Sequence, residues 1–125
     1  MPTSRRAVGV VVASLVTGVV VYLSLGDGVQ LPRSLSFNGI DKLQHVAAYC
    51  TLGVLWSYAL QRPRRGQQTW SLWQWLWALL FGLGAVLELM QYAFFPGRYF
   101  EFADMLANGV GAGIGTLGFN RIFPT

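Results

Sequence analysis

Four runs of about 18 to 25 mostly apolar residues constrain this chain more than any other feature, because each is long enough as a helix to cross roughly 30 Å of hydrocarbon at about 1.5 Å per residue. They are Ala7 to Leu25, Leu43 to Leu60, Trp70 to about Phe94 and Phe102 to Phe119. Together they take up most of the 125 residues, which leaves no stretch for a soluble domain. Composition agrees: 54% hydrophobic and 11% charged residues are too apolar for a domain whose polar face must meet water. The expected fold class is all-α, a polytopic membrane protein built as a four-transmembrane-helix bundle. It is one domain, 1–125, with spans at about 7–25, 42–60, 70–94 and 102–119.

The connecting segments are rich in Gly, Pro, Asn and Ser, which break helices: "SLGDGVQLPRSLSFNG", "QRPRRGQQ" and "FFPGRYF". Arg5, Arg6, Arg62, Arg64, Arg65 and Arg121 fall on one side of such a bundle, without an acidic residue among them. The positive-inside rule makes that side cytoplasmic and places both termini there. The net charge of +4 is accounted for by these flanking positions, so nucleic acid is not an expected partner. Trp70, Trp73 and Trp77 stand where an inner-leaflet aromatic belt belongs. The basic start and long apolar core of Met1 to Ser24 read as a retained span, since no small-x-small cleavage site precedes Gly26. The single cysteine, Cys50, leaves no disulfide or metal-binding cysteine pair and reads as packing.

Against this background the polar residues of the spans stand out. "DKLQHVAA" opens the second span and "DMLANGVG" the fourth, each with an aspartate followed four residues later by His45 or Asn108 on the same helix face. An aspartate at such a start caps backbone N–H groups that lipid would leave bare. Capping does not account for His45 and Asn108, which lie about 6 Å further in. Near the outer end of the third span, Glu88 and Gln91 share a face, with Glu88 roughly 9 Å below the helix end. A carboxyl at that depth needs a partner, and Lys42 and Arg98 are the cations on the same side.

Asp41, Lys42, His45, Glu88, Gln91, Arg98, Asp104 and Asn108 therefore all collect in the outer half of the bundle. A polar pocket open to the outer leaflet is expected there, with helix N-termini and two cations suited to an anionic headgroup. A purely structural network between helices is the competing reading. The glycines after Asn108 pair as Gly109/Gly113 and Gly111/Gly115, the spacing that lets helix backbones approach, so the fourth helix is expected inside the bundle.

The order "DKLQH", "ELMQ", "PGR", "DMLAN" resembles the VanZ-like family of small bacterial membrane proteins, from about Asp41 to Gly115. The resemblance implies a multi-pass protein of the bacterial cytoplasmic membrane. It carries the family's recurrent polar residues onto the eight positions named above, and the family's founding member is associated with reduced susceptibility to the glycopeptide teicoplanin. Two functions suit the residues. One is binding of a membrane lipid, a lipid-linked envelope precursor or a glycopeptide antibiotic, with Asp41, Lys42, Gln91, Arg98 and Asn108 as ligand contacts. The other is a membrane enzyme on a lipid-linked substrate, with His45, Glu88 and Asp104 as catalytic groups. No cofactor is expected. One histidine among acids, without ligand spacing, gives no metal site either.

Overall fold

The computed structural model describes residues 3–25, 40–60, 72–94 and 102–123, apart from the side chains of Thr3, Ile40 and Asp41. The described residues form four helices and no strand: α1 (Thr3–Leu25), α2 (Ile40–Ala59), α3 (Leu72–Phe94) and α4 (Phe102–Ile122). They coincide with the four apolar runs to within a few residues. By length and apolarity alone, two of them qualify as membrane spans, Ser4–Leu25 and Leu72–Phe94. The other two are long enough, with 20 and 21 residues, but they carry the polar groups of "DKLQH" and "ADMLAN" and several glycines. Their lower hydropathy follows from where they sit.

The two helices pack closely on each other through small residues, although α4 keeps one face outward. α4 packs mainly on α2 and next on α3, whereas α1 lies against α2 and α3 and does not reach α4. At the α2–α4 crossing the backbones nearly touch. A Cβ on Gly111 would run into the Val46 carbonyl oxygen, and one on Gly115 into the Cys50 carbonyl oxygen. From the other side, a Cβ on Gly53 would stand 2.9 Å from the Thr116 amide nitrogen. Val46, Cys50 and Gly53 form one stripe of α2, and Gly111 and Gly115 form the matching stripe of α4. Gly109 and Gly113 instead face α3, beneath the rings of Phe81 and Trp77.

These pairings also fix direction. Lys42 meets Asp104 and Cys50 meets Gly115, so α2 and α4 run parallel. Trp77 meets Gly113 and Gly84 meets Asn108, so α3 runs against α4; Gly9 meets Ala59, so α1 runs against α2. The beginning of α1 and the end of α4 consequently share one end of the bundle. The polar beginnings of α2 and α4 share the other.

Tyr49, Leu52, Leu80 and Ala112 form the buried core, with Val16, Val20, Ala48 and Trp56 packed around it. Outside, the helices present aliphatic rows: Val8, Val11 and Leu15 on α1, Leu79 and Val86 on α3, Leu106, Val110 and Ile114 on α4. Glu88 and Asn108 are only 3% exposed. Apolar groups outside and charged or amide groups inside reverse the arrangement of a water-soluble bundle, and this is the arrangement expected in hydrocarbon.

α1 is tied to α2 through Trp56, whose Nε1 donates to Thr17 Oγ1 at 2.9 Å, and Thr17 in turn donates to the Ala13 carbonyl at 2.7 Å. Trp56→Phe keeps most of the packing and deletes this interhelical bond. It should lower stability by about 0.5 to 1.5 kcal/mol, in the range measured for such bonds in membrane bundles. Thermal unfolding in detergent, with Trp56→Phe compared to the parent chain, checks this.

Candidate functional site

The polar end of the bundle is assembled chiefly from the first turns of α2 and α4. Because these helices run parallel and cross closely, residues one turn in on each meet side by side. Lys42 Nζ stands 3.0 Å from Asp104 Oδ1. His45 Nδ1 and Asn108 Oδ1 are 2.7 Å apart, and His45 Nε2 is 3.7 Å from Asp104 Oδ2. Four residues that the sequence placed in two separate spans thus form one cluster.

Direction of hydrogen bonding follows from the atoms. An amide oxygen only accepts, so His45 Nδ1 donates to Asn108, and in the neutral ring Nε2 keeps the lone pair on the side facing Asp104. Asp104 Oδ1 is buried and contacts the Lys42 ammonium as an ion pair, but not along a hydrogen-bond direction. The short distance carries the interaction here, since Coulomb attraction does not need the alignment that a hydrogen bond does. Standing in the first turn of α4, the Asp104 carboxylate also meets the positive end of that helix dipole. Lys42 is the accessible member, its side chain 34% exposed.

α3 supports the cluster from behind. Gly84 makes room for Asn108: a Cβ there would stand 2.7 Å from Asn108 Nδ2 and 3.0 Å from its Cβ. Trp77 Nε1 donates to the Gly109 carbonyl at 2.9 Å, which fixes the turn of α4 just below Asn108. Trp77 also packs on Phe81, with ring centroids 5.5 Å apart. The residue expected in an aromatic belt is thus a tie between helices, a role that its spacing among other tryptophans does not reveal. Sequence reasoning also missed Gly84, whose lack of a side chain has meaning only once Asn108 is seen against it.

The remaining expected residues divide. Glu88 is buried on α3, and its carboxyl lies within electrostatic reach of the buried Tyr49 phenol on α2. Gln91 Nε2 donates to the Ser24 carbonyl in the last turn of α1, so it holds α1 against α3. Lys42, one of the two cations considered for Glu88, pairs with Asp104. Arg98 and the Asp41 side chain lie outside the described residues. Among the described residues, no three His, Cys, Asp or Glu side chains come together as metal ligands.

Gly84→Ala tests how firmly the cluster is held. The added methyl displaces the Asn108 amide and breaks the 2.7 Å bond to His45, at a cost of about 1 to 3 kcal/mol from overpacking and the lost polar contact. Gly82→Ala, at a position where a Cβ meets nothing within 4 Å, is the control. Unfolding midpoints of the two variants should differ clearly, with Gly82→Ala close to the parent.

A sequence model of the VanZ/LLP1 family matches residues 7–123, nearly the whole chain. No curated protein and no solved structure matches it.

Proposed function

The chain belongs to the VanZ/LLP1 family, and on that premise we propose that it is a four-span protein of the bacterial cytoplasmic membrane whose polar end binds a lipid headgroup or a lipid-linked envelope precursor. The observation that carries this reading is the joining of Lys42, His45, Asp104 and Asn108 into one cluster at a single end of a bundle with an apolar exterior. Polar groups serving only to glue helices together would be spread along the spans. Arg5 and Arg121 lie at the opposite end, so the positive-inside rule puts the cluster at the outer leaflet and both termini in the cytoplasm.

Recognition of an anionic headgroup works by exchange. The phosphate takes the exposed Lys42 ammonium, and Asp104 stays at the positive end of the α4 dipole. The Asn108 bond holds the ring in place throughout. Family membership makes teicoplanin a second candidate ligand, in which case expression of the chain should lower susceptibility to it.

A second reading rests on His45. A ring gripped at Nδ1 by an amide, with Nε2 beside a carboxylate, is arranged to move a proton on a bound lipid-linked substrate. Mass spectrometry of lipids and envelope precursors from membranes with and without the protein separates the two. An unaltered lipid that co-purifies with the chain supports binding, and a chemically changed precursor supports the enzyme. If the chain neither retains nor changes any lipid or precursor, both readings fail. Cysteine labelling at positions 64 and 97 checks the orientation: position 97 should react from outside and position 64 only from the cytoplasm.

A further inference from the structure

We propose that the groove between α3 and α4, at the end of the bundle away from the polar cluster, binds one chain of an anionic phospholipid whose phosphate pairs with Arg121. The groove holds about 580 Å³, a volume typical of small-molecule sites. Trp73, Trp77, Ile114 and Leu117 form its apolar walls, Gly118 lies along its floor and Arg121 stands at its end. Among the described residues, no acidic side chain lines it. An apolar trough with a cation at one end is complementary to an acyl chain followed by a phosphodiester.

A second groove repeats the pattern. Between α1 and α2, about 320 Å³ is lined by Val8, Val12, Leu55 and Tyr58 and finishes at Arg5. Both grooves have an apolar body, and both arginines stand at the end of the bundle shared by the start of α1 and the end of α4. With the orientation proposed above, this end meets the cytoplasmic leaflet, where anionic lipids attract juxtamembrane cations. The assignment concerns a different surface from the Lys42 cluster and stands whether or not that cluster has a ligand.

Two variants test it with little risk to the fold. Arg121 is exposed in the last turn of α4, and a Cβ at Gly118 meets nothing within 4 Å, so Gly118→Leu starts in open space and projects side-chain bulk into the trough. The chain, purified in detergent, is mixed with phosphatidylglycerol or phosphatidylcholine of identical acyl chains, and bound lipid is read by native mass spectrometry. The parent protein should retain phosphatidylglycerol several-fold better than phosphatidylcholine. Arg121→Gln should abolish that preference, Gly118→Leu should reduce retention of both lipids, and Lys42→Gln should leave the preference intact. Equal retention of the two lipids by the parent would overturn the proposal. So would unchanged phosphatidylglycerol binding in both groove variants, loss of binding in Lys42→Gln alone, or a lipid-free dimer that Gly118→Leu dissociates.

Discussion

Gly111→Leu should leave little folded protein in detergent, while Val11→Leu should unfold within about 0.5 kcal/mol of the parent, as surface substitutions usually do. The difference lies in what each new side chain meets. Val11 is 56% exposed on the outer face of α1, where one more methylene enters lipid or detergent. A Cβ on Gly111 collides with the Val46 carbonyl oxygen, which belongs to a helix backbone and cannot rotate away. Ordinary overpacking costs about 1 to 3 kcal/mol, and here α2 and α4 must also separate along their main contact, so about 4 kcal/mol or more is expected. Such a loss approaches the whole stability of a small domain. Gly115→Leu should behave like Gly111→Leu, because the Cys50 carbonyl blocks it in the same way. Gly113→Leu should fall between, since its nearest neighbour is the Trp77 ring at 3.4 Å, an ordinary contact with a side chain and not with a helix backbone. Thermal unfolding of the four variants checks the order, and equal midpoints for Gly111→Leu and Val11→Leu would contradict a close α2–α4 crossing.

Lys42→Gln and Asp104→Asn should each abolish ligand binding, and the double variant should be no worse than either alone. The 3.0 Å ion pair makes them one electrostatic unit, and residues that act as a unit are not additive. In stability the coupling should be small, roughly 0.5 to 1 kcal/mol, because Lys42 remains partly in contact with solvent. Lys42→Gln should be the more damaging single change to the fold, because it leaves the more buried Asp104 carboxylate without its cation at 3.0 Å, whereas Asp104→Asn leaves an ammonium that water reaches. A double-mutant cycle read on unfolding and on ligand retention in parallel separates the two effects.

The parts of this arrangement that could be read from the sequence are those that depend on periodicity and cost. Run length marked the four helices, and the expense of polar groups in hydrocarbon marked eight residues as one group, of which Lys42, His45, Asp104 and Asn108 meet, while Gln91 turns to Ser24 of α1. The glycine spacing pointed to a close crossing, yet Gly111 and Gly115 alone face a backbone there, while Gly113 meets a ring and Gly118 meets nothing within 4 Å. Spacing gives a face of a helix and leaves open which neighbour that face meets. For this reason the pairing of Lys42 with Asp104 across the α2–α4 crossing was not among the expectations, which weighed Lys42 and Arg98 only as partners of Glu88. Gly84 and Trp77 were hidden for the same reason, since their importance comes from Asn108 and from the Gly109 carbonyl across the interface. The buried face of α4 is distinguished by small size, with Ala107, Gly111, Ala112 and Gly115 along it, and hydropathy does not register size.

The most direct measurement takes the folded Lys42→Gln protein and weighs the envelope lipid or precursor that co-purifies with it against the parent. Lys42 is accessible enough to replace without opening the core, so a loss of ligand in a variant that still folds reports the site itself. The account predicts that the co-purifying headgroup or precursor falls to background in Lys42→Gln. A folded Lys42→Gln protein with the parent's full load of ligand would contradict it, and would leave Lys42, His45, Asp104 and Asn108 as a packing network between α2 and α4.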